Sequence, residues 1–580
     1  MKKESILNYL YRFIDIIVLL FIVFEFGYGF DENYYSPHIG GLLALTFGLL
    51  VFNCFKYFNY TTKGNKRVIL INIILIAVLL GLCGIIAMLN SNFDGDYITQ
   101  KIKPVLKGGL IFYFLLRLMV FVRYIYDIYF NPAIVFVGSF MILILIGGFL
   151  LMLPSATVNG ISFTNALFTA TSAVCVTGLT VVDTAADFTI IGQTIIIVLI
   201  QLGGIGILTF TSFFAFFFRG STSFKEGLNT RDFIAHDGLK DVFRAALNVV
   251  IFTLGVELVG SAFIYTSIVD NPIIENDFYF SMFHSISAFC NAGFSTIPGG
   301  IMHETVSFNY YLQWIIMLLI ILGGLGHNIV FNFVQYLRNY IVELFYKKRI
   351  HRKIRIITVN TKIVIYTTFI LLVGGFIFLY ISEYNNTLLE HNTIFGKITA
   401  ASFHAVSPRT AGFSTVDYTL MTVPSLLFII FLMWIGGSPA STAGGIKTST
   451  FALATLNIYT LARGKSRIEL FGRRISSEST SRAFAILSIS LITIGISIMA
   501  ILILEPKDTP ILTVAFECFS AYSTVGLSMN FTHTLTEPSK YVLIACMFIG
   551  RIGMLNLMVG LLRRLNHQFY EYPKENILIN

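Results

Sequence analysis

Four short glycine motifs are the residues in this chain best suited to act on an ion. They are Val176-Thr177-Gly178-Leu179-Thr180, Asn291-Ala292-Gly293-Phe294-Ser295, Thr410-Ala411-Gly412-Phe413-Ser414 and Thr524-Val525-Gly526-Leu527-Ser528. Their glycines lie 115, 119 and 114 residues apart (178 to 293, 293 to 412, 412 to 526). Glycine accepts dihedrals that a β-carbon resists, so the backbone can turn its carbonyls toward one axis. Carbonyl oxygens so arranged replace the hydration shell of a cation. A single glycine turn is explained equally well by packing against a helix. Four at near-equal spacing are what one chain needs to ring an ion with backbone oxygens. The expected site comprises Val176, Thr177, Gly178, Asn291, Ala292, Gly293, Thr410, Ala411, Gly412, Thr524, Val525 and Gly526.

The elements around each motif recur as well. A phenylalanine stands nine or ten residues before each glycine: Phe168, Phe283, Phe403 and Phe516. The segment between is too short to cross a bilayer at 1.5 Å per residue and is read as a re-entrant pore helix. Apolar first spans are expected near 132–153, 243–268, 362–382 and 481–504, and second spans near 190–218, 309–338, 424–461 and 540–564. The expected fold is an all-α membrane protein: four same-orientation helix–pore-helix–helix repeats in pseudo-fourfold arrangement around one pore, plus N-terminal helices. The boundaries are 1–131 for an N-terminal extension of about four transmembrane helices, then repeats at 132–219, 220–346, 347–462 and 463–580, the last with a short tail. Two crossings per repeat suit a pore; inverted-repeat transporters need an odd number.

A second glycine landmark follows each motif: Gly203-Gly204, Gly323-Gly324, Gly436-Gly437 and Gly550-Arg551. Close packing of small residues explains the first two pairs. The third opens the segment Gly436 to Lys447, which holds Gly436, Gly437, Ser438, Pro439, Gly444, Gly445 and Lys447. Such residues break helices, so two half-helices joined by a loop at membrane depth are expected, with a simple kink as the alternative. Arg551 sits mid-span and needs a partner, which the loop's carbonyls and hydroxyls can supply. A fixed positive charge below the glycines would impede cations, as a gate should; the alternative is a structural ion pair. Glu257, also mid-span, is read as paired or hydrogen-bonded.

Composition places all of this in a membrane. The chain of 580 residues is 56% hydrophobic and 12% charged, with mean hydropathy +0.77, against about 25% charged residues in soluble proteins. The N-terminal Met-Lys-Lys precedes an apolar stretch near 16–30 that contains Glu25 and no small-x-small cleavage site, so it reads as a retained helix. Further apolar segments lie near 40–55, 68–89 and 109–130; Arg117 and Arg123 in the last are weak grounds for voltage sensing against snorkelling or pairing. Basic residues gather in alternate loops (Lys56 to Arg67, Lys347 to Arg355, Arg463 to Arg474, Arg563 and Arg564) and acidic residues in the loops between. The positive-inside rule puts the basic loops and both termini in the cytoplasm and the glycine motifs toward the outside. The net charge of +9 is thus a topology signal with some attraction to anionic lipid, and nucleic acid is not expected as a partner. Six cysteines without a CxxC pair argue against a disulfide framework or zinc site.

Together these residues resemble the membrane subunit of bacterial Trk/Ktr-type potassium uptake systems, related to fungal Trk and plant HKT transporters, over about 132–564. The most specific segments are Val176 to Asp183, Arg409 to Phe413, Ser438 to Thr448 and Glu469-Leu470-Phe471-Gly472-Arg473-Arg474. Ser523-Thr524-Val525-Gly526-Leu527 also resembles the TVGYG filter of potassium channels without its second glycine, which implies a shorter filter with looser selectivity. The family resemblance implies potassium as the transported ion, uptake across the cytoplasmic (inner) membrane and a homodimer with one pore per protomer. It also implies a cytosolic ring of nucleotide-binding regulatory subunits. No glycine-rich nucleotide fingerprint follows a strand here, so no organic cofactor is expected in this chain. In the family the loop matching 436–448 constricts the pore and the arginine matching Arg551 assists. Glycine in all four filter loops goes with potassium preference, whereas serine in the first loop of some plant relatives favours sodium. The four-helix extension exceeds the family's usual two helices or none.

Two other readings remain. A secondary transporter would use a midplane site and saturate with an organic solute. A membrane enzyme would need more than His284 and His404, which occupy matching pore-helix positions with no carboxylate-rich cluster or nucleophile elbow beside them.

Overall fold

In the computed structural model the chain is described at residues 46–55, 57, 70, 73–74, 76–84, 88, 132–206, 239–268, 274, 276–346, 357–439, 441–465 and 467–553. It is helical apart from one two-stranded hairpin among these residues. The apolar segments expected at 16–30 and 109–130, with Arg117 and Arg123, lie outside the described residues, as do Arg563 and Arg564. Residues 46–55 and 76–84, within two of the expected N-terminal segments, are helical.

From Pro132 onward the order is long helix, short helix, glycine loop, helix, four times over. The long helices are α1 (Pro132–Leu151), α4 (Leu239–Ile268), α8 (Val359–Glu383) and α12 (Ser477–Leu504). Among the described residues, Leu247–Ile268 of α4, α8 and α12 are long and apolar enough to cross a membrane, with mean hydropathies of 2.0, 2.3 and 2.6. The short helices α2 (Phe163–Val174), α5 (Asp277–Cys290), α9 (Ile394–Val406) and α13 (Ile511–Tyr522) have 12, 14, 13 and 12 residues. At 1.5 Å per residue none can span about 30 Å of hydrocarbon. Ser162, Asn276 and Thr393 cap the first three, accepting from the third backbone N–H onward.

The third helix of each unit is α3 (Ile190–Ile205), α6 (Tyr310–Leu325), α10 (Val423–Trp434) and α14 (Glu537–Ile552). One device fixes where each begins: its N-cap residue is tied to the end of the preceding long helix or to the turn just after it. The Thr189 hydroxyl donates to the Ser155 carbonyl at 2.6 Å, and Asn309 Nδ2 to the Ser267 carbonyl at 2.7 Å. In the other two units a carboxylate takes over. Glu383 accepts from Thr422 N–H and hydroxyl at 3.0 and 2.8 Å, and Glu505 from Thr536 at 2.9 and 2.8 Å. Each carboxylate lies beside a helix N-terminus, where the macrodipole favours negative charge.

The second spans differ from expectation. Only the third was expected to break, yet all four helices stop after 12 to 16 residues. Gly206, Gly326 and Gly553 terminate three of them with φ of 83°, 75° and 83°, values that end a right-handed helix. After Gly326 the chain turns by 102° into α7 (His327–Tyr346). In the third unit a loop over 435–447 separates α10 from α11 (Thr448–Ala462).

The core sits around the short helices. Phe168, Phe283, Phe403 and Phe516 are all buried, each on its pore-helix-like segment. The glycine pairs pack as expected for close helix approach: a β-carbon on Gly203, Gly323 or Gly550 would overlap the carbonyl oxygen of Val174, Phe289 or Tyr522, at the end of the neighbouring short helix. At the start of the fourth unit, Glu469-Leu470 and Arg473-Arg474 form strands β1 and β2 of a tight hairpin. Phe471 and Gly472 turn it with φ of 51° and 71°. The Phe471 ring stacks on Tyr366 of α8.

Candidate functional site

Each short helix ends at its glycine motif, and the backbone there has one pattern. Val176, Asn291, Thr410 and Thr524 adopt φ of 58°, 62°, 70° and 51°. Two residues on, Gly178, Gly293, Gly412 and Gly526 adopt 89°, 72°, 77° and 93°. Thr177, Ala292, Ala411 and Val525 between them keep negative φ. In a regular strand successive carbonyls point to opposite sides. Alternating handedness swings them toward the same side, as a cation-lining loop requires. A β-branched residue held left-handed costs on the order of 1–3 kcal/mol, so three of the four loops hold strain that the surrounding structure must impose.

The four loops meet in a closed cycle. A β-carbon added to Gly178 would overlap the Ala292 carbonyl oxygen, one on Gly293 the Ala411 oxygen, one on Gly412 the Val525 oxygen, and one on Gly526 the Thr177 oxygen. All four contacts fall under 3.0 Å. First touches second, second third, third fourth, and fourth first, so Thr177, Gly178, Ala292, Gly293, Ala411, Gly412, Val525 and Gly526 come together, with Val176, Asn291, Thr410 and Thr524 each one residue before them in the chain. The C-terminal ends of α2, α5, α9 and α13 lie at the same ring. Each helix terminus presents about half a negative charge, favourable to a cation.

Serines, which sequence reasoning did not single out, hold the loops in place. The Gly178 N–H donates to Ser172 Oγ at 3.0 Å and the Gly526 N–H to Ser520 Oγ at 3.1 Å. Ser287 donates to the Phe294 carbonyl at 2.8 Å, and Ser407 to the Phe413 carbonyl. The available signal was a serine six residues before the glycine in units one, two and four. The Asn291 amide, with its nitrogen toward the Ala288 and Ile320 carbonyls, accepts from the Thr410 hydroxyl at 3.2 Å and links loops two and three. On one side of the ring lies a cavity of about 350 Å³ lined by all four glycines. Asp183 and Asp417 also line it, each five residues after its glycine.

Beneath loops two and four runs the broken segment of unit three, so the half-helix reading holds and the simple kink does not. Gly436 N–H donates to the Ile446 carbonyl at 2.8 Å, closing the loop at its neck. Ser438 N–H donates to the Gly324 carbonyl at 2.9 Å, its hydroxyl to the Leu325 carbonyl, and Thr442 Oγ1 to the Phe289 carbonyl at 3.3 Å. Gly437 lies close to Gly324, with room for no β-carbon. A β-carbon on Gly444 would overlap the Thr524 hydroxyl, and one on Gly445 would lie 3.2 Å from Ser523 Cβ. The loop therefore bridges the second unit to the fourth.

Two cations fasten it. Lys447 Nζ donates to the Ala443 carbonyl at 2.6 Å. Arg551 donates through Nη1 to the Thr442 carbonyl and through Nη2 to the Gly203 carbonyl at 2.6 Å. Both Arg551 partners are carbonyls, so the loop supplies the partner and the ion-pair alternative is not what forms. A third cation was missed: buried Arg409 donates to the Gly436 carbonyl at 3.1 Å, joining the residue before loop three to the start of the broken segment. Glu257 is hydrogen-bonded, accepting from Gln201 Nε2 at 3.0 Å and from the Cys290 thiol at 3.7 Å.

Four glycine loops that meet at the ends of short helices, with a loop fastened by cations beside them, form an arrangement suited to a small cation in an apolar helical protein. Comparison with known proteins agrees. Residues 131–571 match the TrkH family, described as a cation transport protein. The chain belongs to this family, as the membrane subunit of a Trk/Ktr-type system. The Enterococcus hirae potassium/sodium uptake protein NtpJ is 34% identical over 455 residues, 77% of this chain and 97% of that one. The Bacillus subtilis Ktr system potassium uptake protein B is 35% identical over 430 residues, 74% and 92% of the two chains. Among solved structures, the potassium transporter TrkH from Vibrio parahaemolyticus shares the fold with a TM-score of 0.59 at 16% identity, over 85% of this chain and 97% of its own. These relatives are transporters, not enzymes.

Proposed function

We propose that this protein takes up potassium across the cytoplasmic membrane through a selectivity filter formed by the four glycine loops. The observation that carries the reading is the closed cycle of contacts Gly178–Ala292, Gly293–Ala411, Gly412–Val525 and Gly526–Thr177. The repeats 132–219, 220–346, 347–462 and 463–580 then surround one pore in pseudo-fourfold fashion, with the extension 1–131 beside them. Val176, Thr177 and Gly178 and their counterparts supply backbone oxygens to a partly dehydrated ion. The loop holding Gly436, Gly437, Ser438, Gly444, Gly445 and Lys447, with Arg551, is the gate. The outer cavity with Asp183 and Asp417 faces outside, and the basic loops and termini face the cytoplasm. The Trk/Ktr membership supports a homodimer resting on a cytosolic ring of nucleotide-binding subunits; the exposed Arg473 and Arg474 of the hairpin suit contact with such a partner.

A less selective potassium and sodium pathway is the second reading, favoured by the name of the Enterococcus relative. Expression in cells stripped of potassium uptake tests the proposal. Growth at limiting potassium should be restored, and the Gly526→Asp variant, carried to the membrane at equal level, should not restore it. Growth that the variant supports equally well would contradict the filter assignment.

A further inference from the structure

The residue after each pore-helix phenylalanine stands behind the filter, and it differs among the units: Thr169, His284, His404 and Glu517. In units one, two and four it lies nine residues before the glycine, and a serine or threonine lies two residues after every glycine: Thr180, Ser295, Ser414 and Ser528. In units two and four these two positions are hydrogen-bonded. The Ser528 hydroxyl donates to Glu517 Oε1, and the Thr532 hydroxyl donates to Oε2 at 3.0 Å. Phe531 N–H donates in turn to Ser528 Oγ at 3.3 Å. In unit two, His284 Nδ1 lies 3.0 Å from the Phe280 carbonyl and so carries the proton. Its Nε2 is then the acceptor for the Ser295 hydroxyl at 2.9 Å, and Ile297 N–H donates to Ser295 Oγ at 3.1 Å. Both networks run the same way, from return loop through serine into an acceptor on the short helix.

Units one and three lack this link. Thr169 donates to Asn165 of its own helix at 2.9 Å. His404 has no hydrogen-bond partner at either nitrogen. In the cycle of loops, units two and four stand diagonally opposite. Glu517 and His284 are both fully buried, so each acceptor depends on its hydroxyl partners within the protein.

We infer that Glu517 with Ser528 and Thr532, and His284 with Ser295, are paired positioning residues that brace the filter from behind on two opposite sides and thereby set its ion selectivity. This rests on the potassium-filter reading. A filter can refuse the smaller sodium ion only if its oxygens cannot close in on it. A return loop anchored to the helix behind limits that movement. The other two sides lack this particular bond from the return loop to the residue behind the filter, and they carry the rim carboxylates Asp417 and Asp183 instead.

The test is radiolabelled rubidium uptake into proteoliposomes containing the purified protein, competed by potassium and by sodium, for wild type, Glu517→Ala, Ser528→Ala, the double variant and Thr169→Val. Glu517→Ala and Ser528→Ala should each lower the preference for potassium over sodium about tenfold, as expected when a buried hydrogen bond to a carboxyl group is lost. The double variant should fall no further than the worse single one, because the two act as one unit. Thr169→Val should keep the wild-type ratio. Ser528→Ala removes one oxygen from a half-buried site, so it reports on the brace even if Glu517→Ala does not fold. Reduced flux with an unchanged ratio would mean a merely structural role and overturn the inference. An equal loss in Thr169→Val would overturn the diagonal arrangement. A selective wild type with unchanged variants removes the brace alone; a wild type that does not discriminate removes the filter reading and the brace with it.

Discussion

Replacing Gly412 by serine should lower potassium-over-sodium selectivity by at least about tenfold, with the protein still inserted and folded. Two effects combine at this position. The residue sits at φ 77°, where an L side chain costs ~1–2 kcal/mol. Its new β-carbon would also overlap the Val525 carbonyl oxygen, one of the oxygens proposed to hold the ion, and would come within 3.4 Å of Gly293 Cα. The cost therefore falls on the geometry of the ring. Gly178→Ser should act alike through the Ala292 oxygen. Gly160→Ala separates the two effects. Gly160 has φ 80° with open space where its β-carbon would stand, so that variant carries the strain alone and should keep wild-type selectivity. Competition of rubidium uptake by potassium and sodium reads all three, and an unchanged ratio in Gly412→Ser and Gly178→Ser counts against the filter.

Arg551→Ala should raise basal flux, by about tenfold or more. The guanidinium holds the loop at the Thr442 carbonyl and holds itself at the Gly203 carbonyl, so it pins the loop to the end of α3. It also sets a positive charge beneath the ring. At an effective dielectric of about 20, two unit charges 4 Å apart repel by about 4 kcal/mol, a barrier that would slow ions by orders of magnitude. Alanine removes tether and charge together. Arg551→Lys keeps the charge and gives up the two-armed grip, so it should fall between. Uptake without added cytosolic partner measures the basal state. A fall in flux for Arg551→Ala, with protein that elutes and folds as wild type, would sink the gate assignment.

Much of this arrangement is legible in the sequence. The glycines at 178, 293, 412 and 526 announced the ring because only their repetition, not any one of them, lacked a bland explanation. The short helices were readable from the distance between each phenylalanine and its glycine. The broken segment at 436–447 showed itself through Gly436-Gly437, Pro439 and Gly444-Gly445. The breaks at Gly206, Gly326 and Gly553 did not. A lone glycine in an apolar run looks like a packing residue. What surrounds these helix ends is tertiary: Gly203, Gly323 and Gly550, three residues earlier, press against carbonyls at the ends of the short helices. Left-handed Val176, Thr410 and Thr524 were equally hidden, since β-branched residues favour the opposite region and only the closed ring over-determines them. Glu517 stands among apolar and small residues of α13 and was not singled out. Its partners Ser528 and Thr532 lie beyond the filter, on a loop whose return path no local pattern records.

The central claim is that four backbone loops form one potassium-selective pathway. Radiolabelled rubidium uptake by the purified wild-type protein in proteoliposomes, with potassium or sodium as competitor, tests it most directly. The account predicts uptake that potassium suppresses at far lower concentration than sodium does. Equal suppression by the two ions would contradict it and leave a cation pathway that does not discriminate.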